Sequence, residues 1–239
     1  MTYLIQSRDI SSAWLEATRY ILAERASECN NLLVEIEDPL NATSSIQDAY
    51  CAFCESMEIK RFSVPAATIF PRNAYIRTRQ DRPRLYETYE RRLHDILKGR
   101  WGCYFGQMIN WNSGDSISIN QIENIINRIN SRTRIHKAAY TIQITDPHKH
   151  SGYVRGGPCL QYILLQLSNE RVMDMLAVYR SHDFAVKAYG NYVGLGHLLE
   201  FICNETNFTV GKLACISSHA YIDSQYRSGL RVLCGGNND

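Results

Sequence analysis

The stretch "VYRSHDFAVKAYGN" (178–191) joins two apolar runs. Upstream of it, "RVMDMLAVYRS" (171–181) reads as strand. Downstream, "NYVGLGHLLEFICNET" (191–206) reads as an apolar helix that lies in the core. Arg180, Ser181, Asp183 and Asn191 gather where these two runs meet, in a segment that otherwise reads as buried. Buried polar groups need partners. One reading is a site for an anionic, hydrogen-bonding ligand. The other is a strand end, a loop and a helix cap.

Working outward, "NLLVEIEDP" (31–39) is a strand stopped at Pro39. "HKAAYTIQIT" (136–145), "LQYILLQLS" (160–168) and "KLACISSHAYI" (212–222) are further strands. Helical spacing predicts a helix over residues 9–26, capped by Asp9, Ser11 or Ser12. Others are predicted over 44–57, over 84–98 ending at Gly99, and over 120–130. In the last, Ile122, Ile125, Ile126 and Ile129 share one face. Helices and strands mix without regular βαβ alternation, which predicts an α+β fold with a sizeable sheet.

The 239 residues suit one large domain or two small ones. Apolar residues make up 45% and charged residues 21%, an ordinary globular balance. The net charge of +2 gives no ground for a nucleic-acid partner. The densest basic run, "RTRQDRPRLYETYERR" (77–92), is broken by acids and reads as a solvated helix face. No apolar run approaches the ~18 residues that span a bilayer. The start lacks secretory character, so a cytoplasmic protein without membrane contact is expected. Its eight cysteines are then expected as free thiols. Cys51 and Cys54 form a CxxC without a second ligand pair, so no metal site is expected.

Cys159, in "GGPCLQYI" (156–163), sits where a loop enters a strand. That position suits a nucleophile reaching a cleft, if a cation such as Arg180 favours the thiolate; it equally suits a small buried hydrophobe. Arg180 and Ser181 offer a guanidinium fork and a hydroxyl for an oxyanion, or Arg180 pairs with Asp183. Asn191 presents a donor and an acceptor, as the edge of a uracil-like ring requires, or it caps the following helix. His219 and Tyr221 alternate on a strand and face one side, where they grip a sugar hydroxyl or form a half-exposed face.

The order and spacing of these residues resemble thymidylate synthase, most closely its short, archaeal-type branch. That family has a cysteine after a proline, then Arg-Ser-x-Asp, an asparagine eight residues beyond, and a later His-x-Tyr strand. Here Pro158-Cys159, Arg180-Ser181-His182-Asp183, Asn191 and His219-Ala220-Tyr221 follow that order. "WGCYFGQMINW" (101–111), "NSRTRIHKAAYTI" (130–142), "TIFP" (68–71) and "DISSAW" (9–14) also resemble segments of the branch. The resemblance is fullest over residues 100–222. It implies one α+β domain over residues 1–239, built on a large twisted mixed sheet with flanking helices and dimerising through that sheet.

The resemblance also implies roles. Cys159 would add to C6 of a pyrimidine nucleotide. Arg180 and Ser181 would hold the 5′-phosphate, and Asn191 would read the base. Asp183 would sit by the base and the folate. His219 and Tyr221 would bond the sugar. Arg134, helped by Arg132, would cross a homodimer interface to the partner's phosphate. Tyr104, or Phe105 on another alignment, would handle a proton. The co-substrate would be 5,10-methylenetetrahydrofolate. The implied activity is methylation of dUMP. The alternatives are 5-hydroxymethylation of dUMP or (d)CMP, and a non-catalytic nucleotide-binding protein.

The sequence departs from the common enzyme at several points. Leu160 follows the nucleophile in place of histidine, and Tyr179 precedes the arginine in place of glutamine. Thr133-Arg134 stands for a double arginine, and Lys187 for a small residue beside folate. The tail "CGGNND" (234–239) is unlike an apolar closing segment. No counterpart of the catalytic glutamate stands out among Glu55, Glu58 and Glu87.

Overall fold

The computed structural model describes residues 2–99, 101–112, 118–131, 134–152 and 155–235. In chain order these form β1 (Tyr3–Asp9), α1 (Ile10–Ala23), β2 (Glu28–Asp38), α2 (Ser44–Ser56), α3 (Ser63–Ile69), α4 (Arg72–Arg77) and α5 (Arg82–Thr88). Then come α6 (His94–Leu97), α7 (Tyr104–Ile109), α8 (Gln121–Asn130), β3 (Tyr140–Gln143), α9 (Pro147–His150), β4 (Leu160–Leu167) and β5 (Val172–Tyr179). The chain ends with β6 (His182–Asp183), α10 (Ala188–Thr206), β7 (Thr209–Tyr221) and α11 (Ser224–Leu233).

The strands form one mixed, open sheet of seven, ordered β1-β2-β7-β5-β4-β3, with the short β6 also on β7. β7 pairs antiparallel with β2 and parallel with β5, while β5 pairs antiparallel with β4. This is an α+β architecture: a large mixed sheet with flanking helices.

Alternation along the strands sorts side chains onto two faces. Val34, Cys215, Ala177 and Ile163 lie side by side in register and are all buried. The helices pack on that face. On the other face Leu33, Ile216, Val178 and Tyr162 are neighbours in register, and each is only partly buried. Ala214, Leu176 and Leu164 form the adjoining row.

Helix α10 is apolar almost all round, so it is buried rather than amphipathic. Gly190 and Gly194, one turn apart, let α3 cross against its backbone. Trp14 of α1 donates from Nε1 to Phe184 O at 2.8 Å, and Ser11 bonds the Tyr189 hydroxyl at 2.9 Å. These contacts tie the first helix to the residue after β6 and to the first turn of α10. Asp9 caps α1, accepting from the Ser11 and Ser12 N–H groups.

Several sequence expectations change in detail. The helix expected over 84–98 is α5, a π-helical turn over Tyr89–Leu93, and α6. The strand expected over 136–145 shortens to Tyr140–Gln143, where pairing to β4 exists. β1 is a strand that the apolar pattern does not predict, and it pairs parallel with β2. All eight cysteines are unpaired. Among the described residues no helix is long and apolar enough to cross a membrane.

The β4–β5 ladder slips between Leu160 and Tyr162, leaving Gln161 as a bulge. Gln161 O accepts from Ile144 N at 2.9 Å and from Thr145 N at 3.2 Å, which holds the bulge against the chain beyond β3.

Candidate functional site

Cys159 is the last residue before β4, and its loop is held from several directions. Arg180 N donates to Cys159 O at 2.9 Å, and Arg180 Nε donates to Pro158 O at 3.0 Å. Gln161 Nε2 donates to Pro158 O at 3.0 Å and to Cys159 O at 3.2 Å. The Tyr104 hydroxyl accepts from Cys159 N at 3.3 Å and Leu160 N at 3.4 Å. The backbone that carries the sulfur is therefore fixed by β5, by the bulge and by α7.

Tyr104, Cys159, Ser181, Asp183, Asn191 and Tyr221 together line one cavity of about 470 Å³. That volume is in the range of small-ligand sites. These residues come from α7, the loop before β4, the β5–β6 turn, β6, α10 and the end of β7. Phe105, the alternative to Tyr104, is fully buried against Phe70 and Tyr89. It does not line the cavity, so Tyr104 alone meets the cysteine loop.

Burial pushes the Cys159 thiol above its ordinary pKa, while Arg180 and then Lys187 pull it down and Asp183 opposes them. The expected activation by Arg180 is present but is outweighed by desolvation, so the resting group is a thiol. Burial also pushes the Asp183 carboxyl up, against the backbone N–H groups of Val186 and Ala185 and the charge of Lys187. Asp183 Oδ1 accepts from Ala185 N at 3.0 Å and Val186 N at 3.1 Å. Arg180 is not paired with it; the guanidinium turns to Pro158 instead. Burial, with Asp183 and Cys159 nearby, raises Tyr221 to about 12.

Asn191 is not a helix cap: α10 begins three residues earlier, and the amide is buried. Its Nδ2 lies 3.0 Å from His182 Nε2.

Four of the expected residues stand apart from this lining, the first being Arg180, whose Nε bonds Pro158 O beneath the cysteine loop. His219 stacks on Tyr221 with centroids 5.5 Å apart, but it lies outside the cavity lining and its Nε2 is 3.3 Å from Glu28 Oε2. Arg134 is exposed and does not line the cavity of its own chain. Arg132 falls outside the described residues.

Glu55, Glu58 and Glu87 do not line the cavity either. Glu55 pairs with Arg61 and Glu87 with Arg91 on the surface. Among the described lining residues Asp183 is the sole carboxylate.

Trp101, Lys60 and His182 line the cavity without a role expected from the sequence, and Lys187, which the resemblance places beside folate, lines it too. Trp101 is tilted on Tyr104, centroids 4.9 Å apart, and with Val64, Ile96 and Leu97 makes an apolar wall. Lys60 and Lys187 add cations. The chemistry available is thus a held thiol, an amide, one carboxylate, two phenols, hydroxyls, lysines and an apolar wall. Among the described residues no group of His, Cys, Asp and Glu could hold a metal ion.

No protein-family model matches the chain. Comparison with curated proteins gives no match either.

Proposed function

We propose that the protein transfers a one-carbon unit to C5 of a pyrimidine nucleoside monophosphate, methylating dUMP through a covalent adduct on Cys159. The observation that carries this reading is the meeting of Cys159, Ser181, Asp183 and Asn191 in one cavity, with Arg180 seated under the cysteine loop. C5 of uracil is a poor nucleophile. Addition of the Cys159 sulfur to C6 makes C5 an enolate carbon able to attack an electrophile. Charge then grows on O4, where an Asn191 N–H can donate. Cys159 gives up its thiol proton to water as it adds; the proton on C5 leaves afterwards, with Tyr104 and Asp183 able to take part through water, and the sulfur is expelled from C6 as the C5–C6 double bond re-forms.

Methylenetetrahydrofolate as co-substrate would supply the carbon and, for methylation, the hydride. The wall of Trp101, Val64, Ile96 and Leu97 suits a flat heteroaromatic ring, and Lys60 and Lys187 suit its carboxylates. Water in place of the hydride would give a 5-hydroxymethyl nucleotide.

The decisive assay is tritium release from C5-labelled dUMP and dCMP with the folate present. Release is expected from dUMP, with dihydrofolate formed in step. Mass gain without dihydrofolate would assign hydroxymethylation, and release from dCMP would move the substrate to cytosine. Cys159→Ala is expected to reduce release by at least about a thousandfold, because removal of a nucleophile removes the path itself. Nucleotide binding with no release under any folate would make the protein a binding module.

The reading includes a homodimer through the open sheet face. Leu33, Ile216, Val178 and Tyr162, with the row Ala214, Leu176 and Leu164, give that face a continuous apolar centre that no described helix covers. A second copy is the fitting occupant, because Arg134 is exposed and outside its own cavity. In a dimer with shared sites, mixing inactive Cys159→Ala and Arg134→Ala protomers restores about a quarter of the wild-type rate, since one combined site in four is whole. A mixture that stays inactive after subunit exchange would place Arg134 outside the partner's site.

A further inference from the structure

His182 occupies the variable place of the Arg-Ser-x-Asp motif, and the mechanism above gives it no work. It is nevertheless among the most constrained side chains in the protein. Its ring is 1% exposed and lies flat on Tyr179, centroids 4.1 Å apart and planes 3° from parallel. Phe184 and Tyr192 meet it edge-on. Both ring nitrogens have partners: Nδ1 is 2.9 Å from Ser217 Oγ, and Nε2 is 3.0 Å from Asn191 Nδ2.

An amide nitrogen only donates. Nε2 must therefore carry the lone pair, and Nδ1 carries the proton, which it donates to Ser217 Oγ. Burial keeps the ring neutral by pushing its pKa down to about 3, and no charged group contributes. The tautomer and the amide are coupled. With the proton on Nδ1, a turned Asn191 would set its oxygen against the Nε2 lone pair; turning it over requires the imidazole proton to move to Nε2 and the Ser217 hydroxyl to turn and donate to Nδ1.

Orientation matters because uracil and cytosine differ by an exchange of donor and acceptor. Uracil offers an acceptor at C4 and a donor at N3; cytosine offers the reverse. An amide free to turn over satisfies either edge. An amide held one way round satisfies one edge and leaves the other clashing, a distinction typically worth far more than a missing methylene.

We propose that His182 is a positioning residue which, with Ser217, holds the Asn191 amide one way round and so makes the cavity select a uracil edge over a cytosine edge. This rests on the nucleotide reading of the cavity given above.

The test compares dUMP and dCMP affinities by calorimetry for wild type, His182→Phe, His182→Gln and Ser217→Ala. Wild type is expected to prefer dUMP by at least about tenfold. His182→Phe keeps the flat ring but removes the acceptor, and the preference is expected to fall to within about threefold. His182→Gln, whose oxygen accepts the same bond, is expected to keep more of the preference than phenylalanine does. Ser217→Ala is expected to fall between wild type and the phenylalanine variant.

Nitrogen NMR of the wild-type imidazole gives a readout independent of ligand and of variant folding: a proton on Nδ1 is expected. A proton on Nε2, or an unchanged preference in His182→Phe, overturns the proposal. Equal wild-type affinity for both nucleotides overturns the lock alone. Binding of neither overturns the nucleotide reading beneath it.

Discussion

Gly194→Val is expected to lower the melting temperature by roughly 10 °C, from a destabilisation of about 3 kcal/mol in a chain of this size. The cause is the crossing of α3 over α10. A Cβ at Gly194 would lie 2.7 Å from Ala66 O and 3.0 Å from Ala66 Cα, both backbone atoms of α3. Backbone cannot rotate away as a flexible side chain does, so the whole of α3 must move. Replacing glycine within a helix normally gains a few tenths of a kcal/mol for valine and about 1 kcal/mol for alanine. The steric cost exceeds both gains, and Gly194→Ala is expected to show the same sign with a smaller size. Because Val64, Pro65 and Thr68 of α3 line the cavity, the variant should also weaken ligand binding. A melting temperature within a degree of wild type would show that α3 does not lean on this glycine.

Acidification should destabilise the fold well before most carboxylates titrate. The His182 ring stays neutral down to about pH 3 in the native state because it is buried. In the unfolded chain an imidazole titrates near 6.5. Between those values the unfolded state binds a proton that the folded state refuses, so stability falls as pH falls. At pH 4 this linkage amounts to roughly 3 kcal/mol from His182. His197, brought down to about 4 by burial and then by Arg72, adds in the same direction. Asp183, raised by burial, acts the other way at the acid end of the range. Urea midpoints measured from pH 7 to pH 4 are expected to fall steeply in wild type and less steeply in His182→Phe. Parallel curves for the two proteins would remove His182 from the account.

The long apolar elements were legible because burial leaves a period. α10 extends the expected 191–206 by three residues, and β4, β5 and β7 fall where their apolar runs lie. β1 was hidden because its inward positions include Ser7, which breaks the alternation of Tyr3 and Ile5. The 84–98 helix runs instead from Arg82 to Leu97 and is interrupted by a π turn that begins at Tyr89, whose ring packs edge-on against Phe105. Around the cavity, Cys159, Ser181, Asp183, Asn191 and Tyr221 could be named because they stand in a spaced motif. His182 could not. Its partners, Ser217 and Asn191, lie 35 and 9 residues away, and only the β6–β7 pairing and the start of α10 bring them together. Trp101 and Lys60 likewise reach the cavity through tertiary packing, which no local pattern records, whereas Lys187 stands within the spaced motif.

The thiol's location is inherited from an irregularity. Gln161 is the one surplus residue where the β4–β5 ladder slips, and its own amide staples the carbonyls of Pro158 and Cys159. Straightening that kink would shift the sulfur relative to the cavity and turn the buried Leu160 toward the opposite face. On the proposed reading, the placement of the nucleophile thus hangs on a single residue of strand register.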